Sequence, residues 1–216
     1  MQREYEFQRK RLVRDLRAHG VRDERVLAAM LAVPRHRFVK QHLKQQAYGD
    51  FALPIEAGQT ISQPYVVARM TEMLKLSPEH TVLEVGTGSG YQTAVLAQLA
   101  RWVYSLELVA ELAQMAGARL RDLGIGNVKI QTFDGTVGWS ECAPFDRILV
   151  TAGAPEAPKP LLSQLAVGGL MVVPVGDRAS QRLITYRRLR GGGTQRNEGE
   201  GVVFVPLLGR HGWQER

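Results

Sequence analysis

A chain of 216 residues suffices for one α/β domain with a sizeable core and a short extension. Hydrophobic content of 44% and charged content of 23% are ordinary for a globular protein, and no run of about 18 apolar residues is present to cross a membrane. Net charge is +7 with a sequence pI near 9.8, which raises nucleic acid as a partner, but the basic residues form no dense tract. They fall near the start (Arg3, Arg9, Lys10, Arg11, Arg14, Arg17) and near the end (Arg187, Arg188, Arg190). A solvated basic surface, which also favours carboxylate-bearing substrates, is the simpler expectation. The opening Met1-Gln2-Arg3-Glu4-Tyr5 leads into a charged segment without the apolar core of a signal peptide, and the single Cys142 cannot close an internal disulfide. A cytoplasmic setting is therefore expected.

Residues 2–19 predict an amphipathic helix carrying Phe7, Leu12, Val13 and Leu16, stopped by Gly20. A second helix is expected over 23–32, with Asp23 as its cap, ending before Val33-Pro34. Lys40 to Gln46 are helical and polar in pattern, and Tyr48 to Pro54 read as loop or irregular strand. Pro64 suits the first position of a helix running to about Leu74, which leaves Ser62 and Gln63 just ahead of a helix N-terminus. On the residues alone Ser62 is either a cap or a hydroxyl displayed towards a site.

The chain is organised around Thr81-Val82-Leu83-Glu84-Val85-Gly86-Thr87-Gly88-Ser89-Gly90-Tyr91. A buried parallel strand breaks into glycines at alternate positions and a helix follows, the arrangement of a nucleotide-type binding loop. The spacing is not the G-x-G-x-x-G that seats a pyrophosphate, and Glu84 inside the strand would repel phosphate and suit a cationic ligand. That combination resembles motif I of class I S-adenosylmethionine-dependent methyltransferases; a dinucleotide loop and a merely structural glycine turn are the alternatives.

The next strand, 102–107, ends in Glu107, placed either to accept both hydroxyls of a ribose or to cap the helix at 109–123. A strand over 128–133 ends in Asp134-Gly135. There a carboxylate could accept an adenine amine and a glycine could admit a flat ring, although Asp-Gly is also a common turn pair. Further strands are predicted at 145–151 and 168–175, with a helix holding Leu161, Leu162 and Leu165 between them. The end alternates into strands at about 182–190 and 201–207, joined by a polar hairpin loop. The expected fold is a Rossmann-like seven-stranded sheet with helices on both faces. Residues 1–75 would form a helical extension and site loop packed on a core at 76–216, in one structural domain. The histidines show no metal-ligand spacing, so no metal is expected.

Val33-Pro34-Arg35-His36-Arg37-Phe38-Val39, Gln59-Thr60-Ile61-Ser62-Gln63-Pro64-Tyr65-Val66-Val67-Ala68 and the glycine loop occur in order with Asp134-Gly135, Phe145-Asp146, Thr151-Ala152 and Phe204-Val205-Pro206-Leu207. Together they closely resemble the protein-L-isoaspartate (D-aspartate) O-methyltransferase family over about 33–207. The resemblance implies methyl transfer from S-adenosyl-L-methionine to the free carboxyl of L-isoaspartyl, and in some cases D-aspartyl, residues of age-damaged proteins and peptides. The ester then closes to a succinimide that reopens partly to aspartate. It further implies Ser62 as the active-site serine, positioning the acceptor carboxylate without acting as a nucleophile. Thr60, Ile61, Glu84, Gly86, Gly88, Ser89, Glu107, Asp134 and Gly135 would hold the cofactor, and Gln63 and Val205 the substrate. The stretch from Leu208 to Trp213 matches nothing in the pattern.

Two rivals are weaker. A base-methylating enzyme would show an Asn/Asp-Pro-Pro-Tyr type loop where Thr151-Ala152-Gly153-Ala154-Pro155 stands, and Cys142 lies in no strand-end motif. A non-catalytic cofactor-binding relative would not need Ser62. No nucleic acid, no membrane and a monomer are expected.

Overall fold

The computed structural model describes residues 2–214. Helix α1 (Gln2–Ala18) buries Leu12, Val13 and Leu16, and α2 (Glu24–Ala32) starts at Asp23, whose side chain accepts the Arg25 N–H at 2.9 Å. Both boundaries fall where the sequence puts them. A two-residue antiparallel pair, β1 (Leu53–Pro54) with β2 (Thr60–Ile61), then carries the chain into α3 (Pro64–Met73).

The remaining elements alternate: β3 (Thr81–Val85), α4 (Tyr91–Ala97), β4 (Trp102–Glu107), α5 (Ala110–Asp122), β5 (Val128–Thr132), β6 (Phe145–Val150), α6 (Lys159–Ser163), β7 (Leu165–Gly176), β8 (Gln181–Arg188) and β9 (Thr194–Val202). The seven-stranded sheet has the order β5-β4-β3-β6-β7-β8-β9; β3 to β7 are mutually parallel, and β8 is antiparallel to both its neighbours. Strand periodicity assigns the faces. Val82, Val103, Leu149, Val172 and Leu183 pack against Met70 of α3, Leu74 just past its end and Leu96 of α4. Leu83, Val85, Ile148, Val150, Met171 and Val173 pack with Leu161 of α6, Trp139 and Leu207. A third cluster joins α1 and α2 to Ala68 of α3, Tyr91 of α4 and Leu112 of α5, so the N-terminal helices share a core with the helices beside the glycine loop. The parallel strands all point their carboxyl ends at one edge, where a ligand crevice belongs.

Two assignments need correction. Leu165 is the first residue of β7, not part of the preceding helix, which spans only Lys159–Ser163. The last strand occupies Thr194–Val202, not 201–207. Gly201-Val202-Val203-Phe204-Val205 is apolar enough to read as a strand. β9, by contrast, is an exposed edge strand of mostly polar residues with no hydrophobic alternation to show it. No helix among the described residues is long and apolar enough to cross a membrane.

Candidate functional site

The crevice lies over the carboxyl ends of β3, β4 and β6. Thr60, Ile61, Ser62, Gly86, Gly88, Ser89, Glu107, Gly135 and Val205, nine of the residues singled out in the sequence, border it together. Five separate segments supply them, as befits a site assembled by a switch point in an open sheet.

The glycine loop owes its course to backbone geometry. Gly86, Gly88 and Gly90 have φ of 97°, 51° and 87°, values that side-chain-bearing residues adopt at a cost. A Cβ on Gly86 would stand 2.3 Å from Thr151 Oγ1, whereas one on Gly88 would meet only Ile55 Cδ1 at 3.8 Å. Gly86 is thus held by packing against the end of β6, and the Gly88 face of the loop stays open. Thr151 fastens this arrangement: its hydroxyl donates to Gly86 O at 2.6 Å, with Val85 O also in reach at 3.0 Å. Glu107 spans the crevice floor. Its Oε2 accepts the Gly88 N–H at 2.8 Å and its Oε1 the Val109 N–H at 3.0 Å, which leaves a lone pair on each oxygen for a ligand diol. Leu106, Leu108 and Val109 supply apolar walls beside it.

Ser62 does not cap α3. The cap residue is Gln63, whose own side chain makes no cap bond, and Asp50 Oδ1 instead accepts the Tyr65 N–H in the first turn at 2.9 Å. Ser62 borders both the crevice and a second, outer groove. Gln63 borders the outer groove and donates from Nε2 to Asp50 Oδ2 at 2.9 Å. Val205 borders the crevice, and its carbonyl accepts the Gly153 N–H at 2.8 Å.

Glu84 is a correction. It is fully buried and does not border the crevice. In β3 it shares a face with Val82 and lies under α4, pointing away from the ligand side where Val85 stands. Its Oε2 accepts the hydroxyls of Thr93 (2.5 Å) and Ser105 (2.6 Å), and Ser105 in turn meets Thr87 Oγ1 at 2.6 Å. The chain of hydroxyls therefore links Glu84 to the glycine loop through Thr87. Burial pushes the Glu84 carboxyl up to about 8, against the pull of the Ser105 and Thr93 hydrogen bonds, and the nearby Glu107 adds to the rise. At neutral pH it is a neutral acid holding the loop, not a counter-ion for a cation.

This has a measurable consequence. The unfolded value is near 4.5, so between pH 4.5 and about 8 the folded chain retains a proton that the unfolded chain releases. Stability contributed by this group is present below that window and is lost as pH rises through it. Glu84→Gln keeps the acceptor oxygen and removes the titration. The stability difference between variant and parent, from denaturant melts, should grow in the variant's favour by a few kcal/mol across the window. A difference that is flat in pH would show that Glu84 is ionised when folded.

Asp134 sits at the predicted strand end, yet its carboxylate is not among the crevice walls. Oδ1 accepts the N–H and the hydroxyl of Thr136 at 2.9 and 2.6 Å, and Oδ2 the Arg210 N–H at 2.8 Å. The tail explains this. His211 N donates to Thr136 Oγ1 at 3.0 Å, and Trp213 donates from Nε1 to Gly153 O at 3.0 Å under the Arg178 guanidinium, 5.0 Å from its ring. The tail hence wraps the end of the crevice and brings Leu208 to its wall. Gly135 lines the crevice, but an added Cβ would strike Val85 Cγ1 at 2.5 Å, so close packing with β3, rather than room for a ring, requires glycine there.

Sequence reasoning missed Thr151 as the loop's fastener and Arg35 as its support. Arg35 is wholly buried, donates from Nε to Ala47 O at 2.8 Å, and lies 4.9 Å from the centroid of the Tyr91 ring at the start of α4. A lone arginine between a proline and a histidine carries no periodic signal. Thr151 stands at a strand end, where a polar residue after the six residues of β6 could have marked it. Among the described residues no cluster of His, Cys, Asp and Glu is arranged to hold a metal.

The sequence pattern of the protein-L-isoaspartate(D-aspartate) O-methyltransferase family matches residues 7–212. This is a correction for the tail: the stretch from Leu208, read in the sequence as outside the family pattern, lies within its match up to residue 212. A protein-L-isoaspartate O-methyltransferase of Dictyoglomus thermophilum is 50% identical over 212 residues, covering 98% of this chain and 96% of its own length. Protein-L-isoaspartate O-methyltransferase 1 of Syntrophobacter fumaroxidans is 53% identical, covering 91% and 92%. A solved protein-L-isoaspartate O-methyltransferase superposes with a TM-score of 0.85 at 30% identity, over 94% of this chain and 67% of that one. A Plasmodium falciparum beta-aspartate methyltransferase structure, solved with S-adenosyl-L-homocysteine, gives 0.79 at 28% identity, over 93% and 98%.

Proposed function

The chain belongs to the protein-L-isoaspartate(D-aspartate) O-methyltransferase family, a class I methyltransferase fold, and from that membership we propose how its crevice serves protein repair. It is a protein-repair methyltransferase that uses S-adenosyl-L-methionine and acts on isoaspartyl residues of proteins and peptides. The crevice suits that cofactor. Glu107 keeps lone pairs for ribose hydroxyls, the Gly88 face is open, and the apolar walls are of a size and character for a nucleoside. Gly86, Gly88 and Ser89 would follow the amino-acid end, Thr60 and Ile61 would cover the reacting end, and Gly135 would border the base.

The cofactor supplies, when bound, an electrophilic methyl group. The chain's own work is alignment. An acceptor carboxylate is ionised at neutral pH, so no general base is required, which agrees with a site holding a serine and no histidine partner. Ser62 lies where cofactor crevice and outer groove meet, and its hydroxyl would donate to the carboxylate and hold one oxygen towards the methyl. This meeting of the two openings at Ser62 is the observation that carries the reading. The tail over the end of the crevice, with Leu208 in its wall, would limit water there.

The test is transfer of labelled methyl to a matched pair of peptides, one L-isoaspartyl and one L-aspartyl, with tRNA as a control. Base-labile label on the isoaspartyl peptide alone is expected; label on tRNA with both peptides unmodified would sink the reading. A monomer in the cytoplasm, without nucleic acid or membrane partner, completes the proposal. Residues 1–75 would act as an extension folded onto the core, with light scattering as the check on the monomer.

A further inference from the structure

The outer groove at Ser62 has its own electrostatics. Asp50, Phe51, Tyr65, Glu200 and Val203 border it, with Thr60 and Ser62 where it joins the crevice. In a chain of net charge +7 this groove is bordered by two carboxylates and, among the described residues, by no lysine or arginine. Asp50 accepts hydrogen bonds from neutral donors only, Gln63 Nε2 and Tyr65 N, each at 2.9 Å, and the buried Arg35 acts on it only through space. Glu200 accepts the Tyr65 hydroxyl at 3.1 Å and Arg69 Nε at 3.0 Å. Arg69 does not border the groove, and it divides its charge with Glu72, 2.6 Å from its Nη1. Two carboxylates thus face this opening, while the cations that act on them, Arg69 on Glu200 and the buried Arg35 on Asp50, do not border it. Phe51 and Val203 are 46% and 77% exposed at its rim, apolar surface that a bound chain would cover.

We propose that this groove seats the residues flanking the acceptor and selects damaged segments with lysine or arginine beside the isoaspartyl residue, with Glu200 as a specificity-determining residue. The proposal rests on the repair function above. The acceptor carboxylate is itself an anion entering an acidic opening, so a neighbouring cation offsets the repulsion and a neighbouring anion adds to it. Glu200 and Asp50 are fixed by the hydrogen bonds just named, so they present charge without first having to be ordered. Discrimination comes from attraction of one class and repulsion of the other.

The experiment compares kcat/KM for isoaspartyl peptides identical except for one neighbour, taken as Lys, Ala or Glu on either side. On at least one side the parent protein should prefer Lys over Glu by about tenfold, mainly through KM, and the preference should shrink in about 0.5 M salt. Glu200→Gln keeps acceptors for Tyr65 and Arg69 while removing one charge. It should lower the Lys-to-Glu ratio about threefold, and Asp50→Asn should do likewise. Equal kcat/KM for all three neighbours, or a preference for Glu, with the Ala peptide methylated, overturns the inference and leaves the repair function standing. A Lys preference that neither salt nor Glu200→Gln moves overturns the role of Glu200, reducing it to a bracket between α3 and β9. Methylation of none of the peptides is instead a failure of the functional reading. The salt series on the parent protein decides the charge question even if a variant does not fold.

Discussion

Gly86→Ala is expected to abolish measurable cofactor binding and to lower stability by about 2–4 kcal/mol. The φ of 97° strains any residue with a side chain, and the new methyl would stand 2.3 Å from Thr151 Oγ1. Relief would require Thr151 to leave Gly86 O and Val85 O, the bonds that hold the turn from β3 against the end of β6. Calorimetric titration should show the dissociation constant raised by at least about 100-fold, with the thermal midpoint down by roughly 5–15 °C. Gly88→Ala is the contrast. Its φ of 51° lies in the left-handed region, and only Ile55 Cδ1 is near, so stability should fall by about 1 kcal/mol while cofactor affinity still suffers. Wild-type affinity in Gly86→Ala would mean that the loop does not carry the cofactor.

Ser62→Ala should lower kcat about 100-fold while leaving cofactor affinity within about twofold. The hydroxyl contributes no cap to α3, so its loss should cost the fold little. The expected loss is one hydrogen bond to a charged acceptor, worth roughly 1.5–3 kcal/mol, made where the reacting oxygen must be aligned. Single-turnover rates on the isoaspartyl peptide separate this from slow product release. If the single-turnover rate is unchanged, Ser62 is not a positioning group.

Much of this site was legible because its landmarks are strand ends. Val82 to Val85 and Trp102 to Leu106 are apolar runs whose boundaries are sharp, so Gly86 and Glu107 fall where a parallel sheet delivers ligand residues. Glu84 was misjudged because spacing along the chain says nothing about direction; strand alternation would have paired it with Val82. Its register partner Ser105, a polar residue in an apolar strand, was the available sign of a buried acceptor. β9 was misplaced because an edge strand is exposed and needs no apolar side. The tail was opaque for another reason. Its hold on Asp134, Thr136 and Gly153 runs mainly through backbone N–H groups and the Trp213 indole, and backbone donors leave no mark in a sequence.

The character of β9 matters for the company this protein keeps. Aged chains are partly unfolded and offer extended backbone, which pairs with any open sheet margin it meets. The margin at β9 carries Arg196 and Glu198, with Arg182 of β8 reaching across to Glu198 and to Gly199 O. Such a border of fixed charges discourages indiscriminate strand addition.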